Sequence, residues 1–230
     1  MSLEHQIDIA NPQHPHCPSV LLLDTSASMA GAKLTQLLQG LQFFRDEVEA
    51  HELARKRVDV AVVTFGEEVR VVQSFTSVGQ LELPDLQASG RTPMGAAILT
   101  AIDLVERRKE EYRTQAVDYY RPWIFLITDG EPTDMHPGDP TWNSVVAAVH
   151  EGERLQHFLF FTVGVDSADL DKLRLISPPE RQPLKLRPGH FQEMFAWVAN
   201  SQQQISMSRV GEQVSVEDPT AEGGWAKIET

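Results

Sequence analysis

The chain has 230 residues, 41% of them apolar and 23% charged, with a formal net charge of −13. That length suits one α/β domain with a full core, and the acidic surplus excludes nucleic acid and anionic membrane as natural partners, because phosphates would be repelled rather than neutralised. Cys17 is the single cysteine, which leaves no internal disulfide and suits a reducing compartment.

Residues 1–18 lack the basic region and apolar core of a secretion leader. No apolar run approaches the roughly 20 residues of a bilayer span, so the expected setting is the cytosol. Residues 1–16 read as an N-terminal extension, and the apolar run 19–23 then predicts the first buried strand. Leu34, Leu37, Leu38, Leu41, Phe44 and Val48 recur at helical spacing and predict a long amphipathic helix. The continuous β-rich run 58–65 predicts a central strand. Gly66-Glu67-Glu68 is too short for a helical crossover, so 69–75 should return as an antiparallel edge strand.

A loop over 83–91 leads to Thr92 and Pro93, read as the N-cap and first residue of a helix. Its buried stripe is Met94, Ala97, Ile98, Ala101, Ile102 and Val105, and its charged stretch 107–111 should be a solvated face. The strand 123–128 ends at Asp129-Gly130; a helix over 142–155, a strand over 157–165, a short helix over 170–176 and a short edge strand over 183–186 follow. Phe191, Met194, Phe195 and Val198 mark the last helix. The alternation predicts a Rossmann-like, doubly wound α/β domain over 17–200: a central, mostly parallel six-stranded sheet with one antiparallel edge strand and helices on both faces. Residues 201–230 form a tail to which the pattern assigns no structure.

The chemistry concentrates in three loops. Asp24-Thr25-Ser26-Ala27-Ser28 leaves the first strand, Thr92 opens a helix and Asp129 ends a strand. In a doubly wound sheet such loops meet at the crevice where the strand order reverses. An acid and two hydroxyls at alternate positions can converge on one hard cation, and oxygen donors favour Mg²⁺ or Mn²⁺, with Ca²⁺ also admissible, over Zn²⁺ or copper. Each residue also has an ordinary explanation: Ser28 or Thr92 as a helix cap, Asp129-Gly130 as a tight turn. Glu131, Asp134 and His136 read as solvated residues that shape the rim.

This constellation resembles the von Willebrand factor A-type domain with its metal-ion-dependent adhesion site. The family's DxSxS motif stands as Asp24-Thr25-Ser26-Ala27-Ser28, its threonine as Thr92 in Gly90-Arg91-Thr92-Pro93, and its second acid as Asp129 in Thr128-Asp129-Gly130. The resemblance spans 17–200 and implies Asp24, Ser26, Ser28, Thr92 and Asp129 as ligands of a bound Mg²⁺ or Mn²⁺. It further implies a protein partner that supplies an Asp or Glu to the metal, and no catalysis. Thr128-Asp129-Gly130-Glu131-Pro132-Thr133-Asp134 resembles a segment of the bacterial tellurium-resistance TerY-type proteins. That implies a cytosolic adaptor in a stress-response system, with a protein kinase or phosphatase as partner.

Other readings remain open. One is a subunit of an ATPase or chelatase-type machine. A Mg²⁺-dependent phosphohydrolase with Asp24 as nucleophile needs an acid or base for the leaving group, and the position two beyond Asp24 is Ser26. A nucleophile at Ser26 or Ser28 needs a base, and no histidine stands in a recognisable motif around them. His14, His16 and Cys17 lack a fourth zinc ligand, and Walker-type phosphate loops are absent. In the tail, Glu217 and Asp218 are candidates for controlling access to the metal.

Overall fold

The computed structural model describes residues 9–228, so the first half of the expected N-terminal extension lies outside the described residues. Its strands are β1 Cys17–Asp24, β2 Val58–Phe65, β3 Val69–Ser77, β4 Trp123–Thr128, β5 Leu159–Gly164, β6 Leu184–Leu186 and β7 Ala226–Lys227. Its helices are α1 Ala32–Ala50, α2 Ala54–Arg57, α3 Met94–Thr114, α4 Pro140–Arg154, α5 Leu170–Ile176 and α6 Phe191–Met207. The strands make one sheet in the order β3-β2-β1-β4-β5-β6-β7. From β2 to β6 all neighbours are parallel, and β3 runs antiparallel at one edge. The expected doubly wound α/β architecture is the one observed. The sheet has one strand more than expected: Ala226 pairs antiparallel with Leu186 and gives β6 a neighbour on its outer side. Two residues carry no periodicity, so that strand left no pattern to read.

β1, β2 and β4 are buried along their whole length, as parallel strands covered on both faces must be. Alternate side chains feed two cores. Leu21, Leu23, Val60, Val62, Phe125 and Ile127 pack under α1 and α6, while Val20, Leu22, Ala61, Val63, Ile124 and Leu126 pack under α3 and α4.

The charged stretch at the end of α3 departs from expectation. Arg108 and Lys109 are each only 4% exposed. Asp59, buried near the start of β2, explains Arg108: its Oδ2 accepts from Arg108 Nη2 at 2.6 Å, Tyr112 Oη at 2.6 Å and His16 Nδ1 at 3.1 Å. His16 is thereby committed to this cluster rather than to a metal with His14 and Cys17.

α6 continues through Ser201 to Met207, and the chain beyond it straps back over the sheet. Trp225 and Ala226 enter the core, Trp197 Nε1 donates to the Glu217 carbonyl at 2.7 Å, and Tyr120 Oη donates to the Ser208 carbonyl at 2.6 Å. Asp218 accepts from the amide and hydroxyl of Thr220, which closes a local turn.

Candidate metal centre

β1 and β4 are adjacent and parallel, yet the chain leaves β1 toward β2 on one side and leaves β4 toward β5 on the other. The order therefore reverses between them, which opens a crevice at their carboxyl ends. Asp24 is the last residue of β1, and Asp129 follows the last residue of β4.

Backbone hydrogen bonds tie the three loops together. Thr25 N donates to the Phe65 carbonyl, Ser89 N to the Thr25 carbonyl and Ala27 N to the Gly90 carbonyl, which lays the segment before Thr92 against the 24–28 loop. Gly90 has φ +74°, and a Cβ there would stand 2.3 Å from Glu67 Cα, so only glycine permits this approach. On the other side Thr133 N donates to the Thr92 carbonyl at 2.9 Å, and Thr92 N donates to Thr133 Oγ1 at 3.1 Å.

The side chains then converge. Asp24 Oδ1 accepts from Ser26 N at 2.8 Å, and Asp24 Oδ2 accepts from Thr128 Oγ1 at 2.5 Å. Ser26 Oγ and Ser28 Oγ share a hydrogen bond of 2.9 Å, and Ser28 Oγ donates to Asp129 Oδ1 at 2.6 Å. Thr92 Oγ1 and Asp24 Oδ2 both border Gly130, 3.2 and 3.8 Å from where its Cβ would be. All five residues singled out from the sequence are thus brought to one place. Asp24, Ser26, Thr92 and Asp129 are buried, and Ser28 is exposed, so the cluster opens to solvent on the Ser28 side.

The ordinary explanations for Thr92 and Ser28 do not hold. α3 begins at Met94 after Pro93, with no side-chain cap from its own sequence; Asp134 supplies it from the loop beyond β4, accepting from Gly95 N at 3.1 Å and Ala96 N at 2.8 Å. A carboxylate at a helix N-terminus satisfies otherwise orphaned amides, and Thr92 Oγ1 is left free for the crevice. Ser28 lies in a 3₁₀ turn, and α1 has no side-chain cap. Glu131 pairs with Lys172, and His136 is exposed.

Three residues escaped the sequence reading. Thr128 holds the orientation of Asp24; Lys33, the second residue of α1, pairs with Asp129 Oδ2; Asp166, past the end of β5, lies 3.8 Å from the Lys33 ammonium. Lys33 sits outside the apolar stripe of its helix, and no spacing rule links it to a residue almost a hundred positions away. Thr128 stands beside Asp129 in the quoted motif, so adjacency was its only signal.

The donor set fits a hard divalent cation. Every converging donor is an oxygen, with two carboxylates and three hydroxyls, as Mg²⁺ and Mn²⁺ prefer. Among the described residues no group of three or more His, Cys, Asp or Glu gathers as an alternative cage. Burial pushes the Asp24 carboxyl above its ordinary range against the hydrogen bonds of Ser26 and Thr128, and the Asp129 charge adds to the push. A cation between the two acids relieves both causes.

The family profile of the von Willebrand factor type A domain matches residues 20–204. Inter-alpha-trypsin inhibitor heavy chain H4 of Sus scrofa is 30% identical over 171 residues, 68% of this chain but 17% of that protein. Among solved structures, a von Willebrand factor type A protein from Catenulispora acidiphila superposes with a TM-score of 0.63 at 17% identity, covering 83% of this chain and 43% of that one. The vWF domain of the type V pili tip protein Mfa5 from Porphyromonas gingivalis gives 0.60 at 14% identity, covering 88% of this chain and 99% of that one. At these identities the structural likeness speaks to the fold, and the chain spans about a sixth of the curated relative's length. No helix among the described residues is long and apolar enough to cross a membrane. Domains of this family commonly mediate protein–protein interactions and often bind a divalent metal, and this chain belongs to the von Willebrand factor type A domain family.

Proposed function

We propose that this chain is a metal-dependent protein-interaction module, in which Asp24, Ser26, Ser28, Thr92 and Asp129 hold one Mg²⁺ or Mn²⁺ and a partner's Asp or Glu completes its shell. The observation that carries the reading is the relay Ser26 Oγ, Ser28 Oγ, Asp129 Oδ1, at 2.9 and 2.6 Å, which joins residues a hundred positions apart beside Thr92 and Asp24. Two carboxylates balance the charge of a divalent ion, while neutral hydroxyls complete its shell without quenching its pull on a further anion. Mg²⁺ keeps waters at positions the protein does not fill, and the exposed side at Ser28 is where a partner's carboxylate would displace one. The chemistry in this reading is binding rather than catalysis, which the interaction role common in the family supports.

The resemblance of 128–134 to TerY-type proteins supports a cytosolic adaptor of a stress-response system, with a kinase or phosphatase as partner. Calorimetric titration of Mg²⁺ and Mn²⁺ into metal-stripped protein tests the site. Saturable one-site binding by the wild type that vanishes in Asp24→Ala is the expected result. Equal binding by both proteins would remove the site from this loop.

A further inference from the structure

Lys33 reaches the metal loops from the solvent side. Its ammonium lies on Asp129 Oδ2 while Oδ1 of the same carboxylate accepts from Ser28, and the Asp129 side chain is completely buried. The ammonium therefore stands as a cation on a carboxylate that the metal reading assigns to the ion. It also has a second acceptor within reach, Asp166 Oδ2 at 3.8 Å. Asp166 is held in place by more than its side chain. It has φ 44°, a left-handed conformation uncommon outside glycine, asparagine and aspartate, and its carbonyl accepts from the Lys185 ammonium. The preceding Val165 N donates to the Thr128 carbonyl at 2.8 Å, which fixes this turn beside the end of β4.

We propose that Lys33 is a tethered counter-ion: it occupies Asp129 while the site is metal-free, yields that carboxylate to an incoming divalent cation, and passes to Asp166. Lys33 thereby sets the metal affinity of the site. The inference rests on the reading of the five residues as a metal site. Its physical content is competition, since an ammonium and a divalent ion cannot both neutralise one carboxylate at full strength. Removing the ammonium tightens metal binding. Removing the Asp166 charge leaves the ammonium no second acceptor and loosens it.

The test is titration of Mn²⁺ into the metal-stripped full chain, with free Mn²⁺ read by electron paramagnetic resonance. Lys33→Met should bind Mn²⁺ at least about tenfold more tightly, since a unit charge a few ångströms from a divalent ion opposes it by more than that at any dielectric constant below that of water. Lys33→Arg, which keeps the charge, should stay within about twofold of wild type. Asp166→Asn tolerates the left-handed backbone and should bind about threefold more weakly, a modest effect because this carboxylate is half exposed. In the Lys33→Met background the Asp166→Asn loss should largely disappear, because the two residues act as a pair. A wild type that binds at one site beside a Lys33→Met variant that binds no tighter overturns the counter-ion and leaves the metal site standing. An undiminished Asp166→Asn loss in the double variant overturns the hand-over. A wild type that shows no saturable binding overturns the metal reading and this inference together.

Discussion

Asp59→Ala separates what holds the domain together from what the crevice does. Asp59 is 2% exposed and accepts three hydrogen bonds, from Arg108, Tyr112 and His16. Truncation strands the Arg108 guanidinium, itself buried, and the fully buried Tyr112 hydroxyl. Breaking a buried ion pair from one side costs about 3–5 kcal/mol, and an orphaned buried hydroxyl about 1–3 kcal/mol. Arg108 keeps Glu111 at 2.9 Å as a second partner, so the low end of the sum applies, about 4 kcal/mol, a large share of the roughly 5–15 kcal/mol that domains possess. Urea unfolding followed by circular dichroism reads the loss. The crevice should not notice: Asp59 pairs with Pro18 and Phe65 with Asp24, so six residues of strand, about 20 Å at 3.3 Å per residue, lie between them. Mn²⁺ affinity should stay within about twofold of wild type, since sites this far apart behave independently. The pH dependence has a definite sign. Burial pushes the Asp59 carboxyl up, but His16, Arg108 and Tyr112 outweigh it and hold the group below its ordinary range. A lowered folded-state value contributes stability above the unfolded value, about 3.9, that is lost as pH falls through the folded one. The wild type should therefore lose its advantage over Asp59→Ala only below about pH 4. An Asp59→Ala protein within about 1 kcal/mol of wild type at neutral pH would refute the argument, because surface changes alone fall in that range.

Three further changes probe other parts of the molecule. Asp24→Asn should abolish the stabilisation that metal confers: at a hundred times its Kd the ion adds about 2.7 kcal/mol, or about 5–10 °C in Tm for a domain of this size. Without metal the variant should melt no earlier than wild type, since burial already disfavours the Asp24 charge; a Mg²⁺-dependent shift retained in Asp24→Asn would count against the site. Asp134→Ala removes the cap of α3, should cost about 1 kcal/mol, and should weaken Mn²⁺ binding because Thr92 precedes that helix; unchanged stability and affinity together would deny it the positioning role. Trp225→Ala empties a core position packed against Trp197 with ring centroids 5.8 Å apart; differential scanning calorimetry should show a loss of about 3–5 kcal/mol, and a loss under about 1 kcal/mol would mean the strap is only lightly docked.

The architecture was legible wherever the pattern is long and strictly apolar. β1, β2 and β4 read as buried strands because nothing polar interrupts them, and the three crevice loops could be placed because each follows or precedes such an element. Legibility failed where one residue's environment is set by another far along the chain. The stretch 107–111 looks solvated from its own composition, yet Arg108 is drawn inside by Asp59 from a different strand. Thr92 looks like a cap by local rules, yet the cap is Asp134, which sits forty residues on and reaches the helix only because β4 ends beside it. The tail shows the same limit, since Trp225 and Ala226 are isolated apolar residues in a polar segment and become core only through the edge that β6 offers.

Asp24 and Asp59 show why the binding proposed for this sheet falls at one end of it. Both are buried aspartates, on neighbouring strands and at opposite ends of them. Asp59 is matched by cationic and hydroxyl donors from its own chain, and its carboxyl is held low. Asp24 accepts only an amide and hydroxyls, faces a second acid, and its carboxyl is held high. A buried charge must be paired, coordinated or neutralised by a proton. The chain supplies the pairing at Asp59, and that end of the sheet is complete in itself. At Asp24 it supplies hydroxyls and places the Lys33 ammonium on Asp129 instead, which leaves at Asp24 itself a demand that a further cation or a proton can meet. A proton gives no grip on a partner, whereas a divalent ion in an open oxygen shell attracts a further carboxylate. The charge imbalance at the end of β1 is thus the physical origin of the binding function proposed for it.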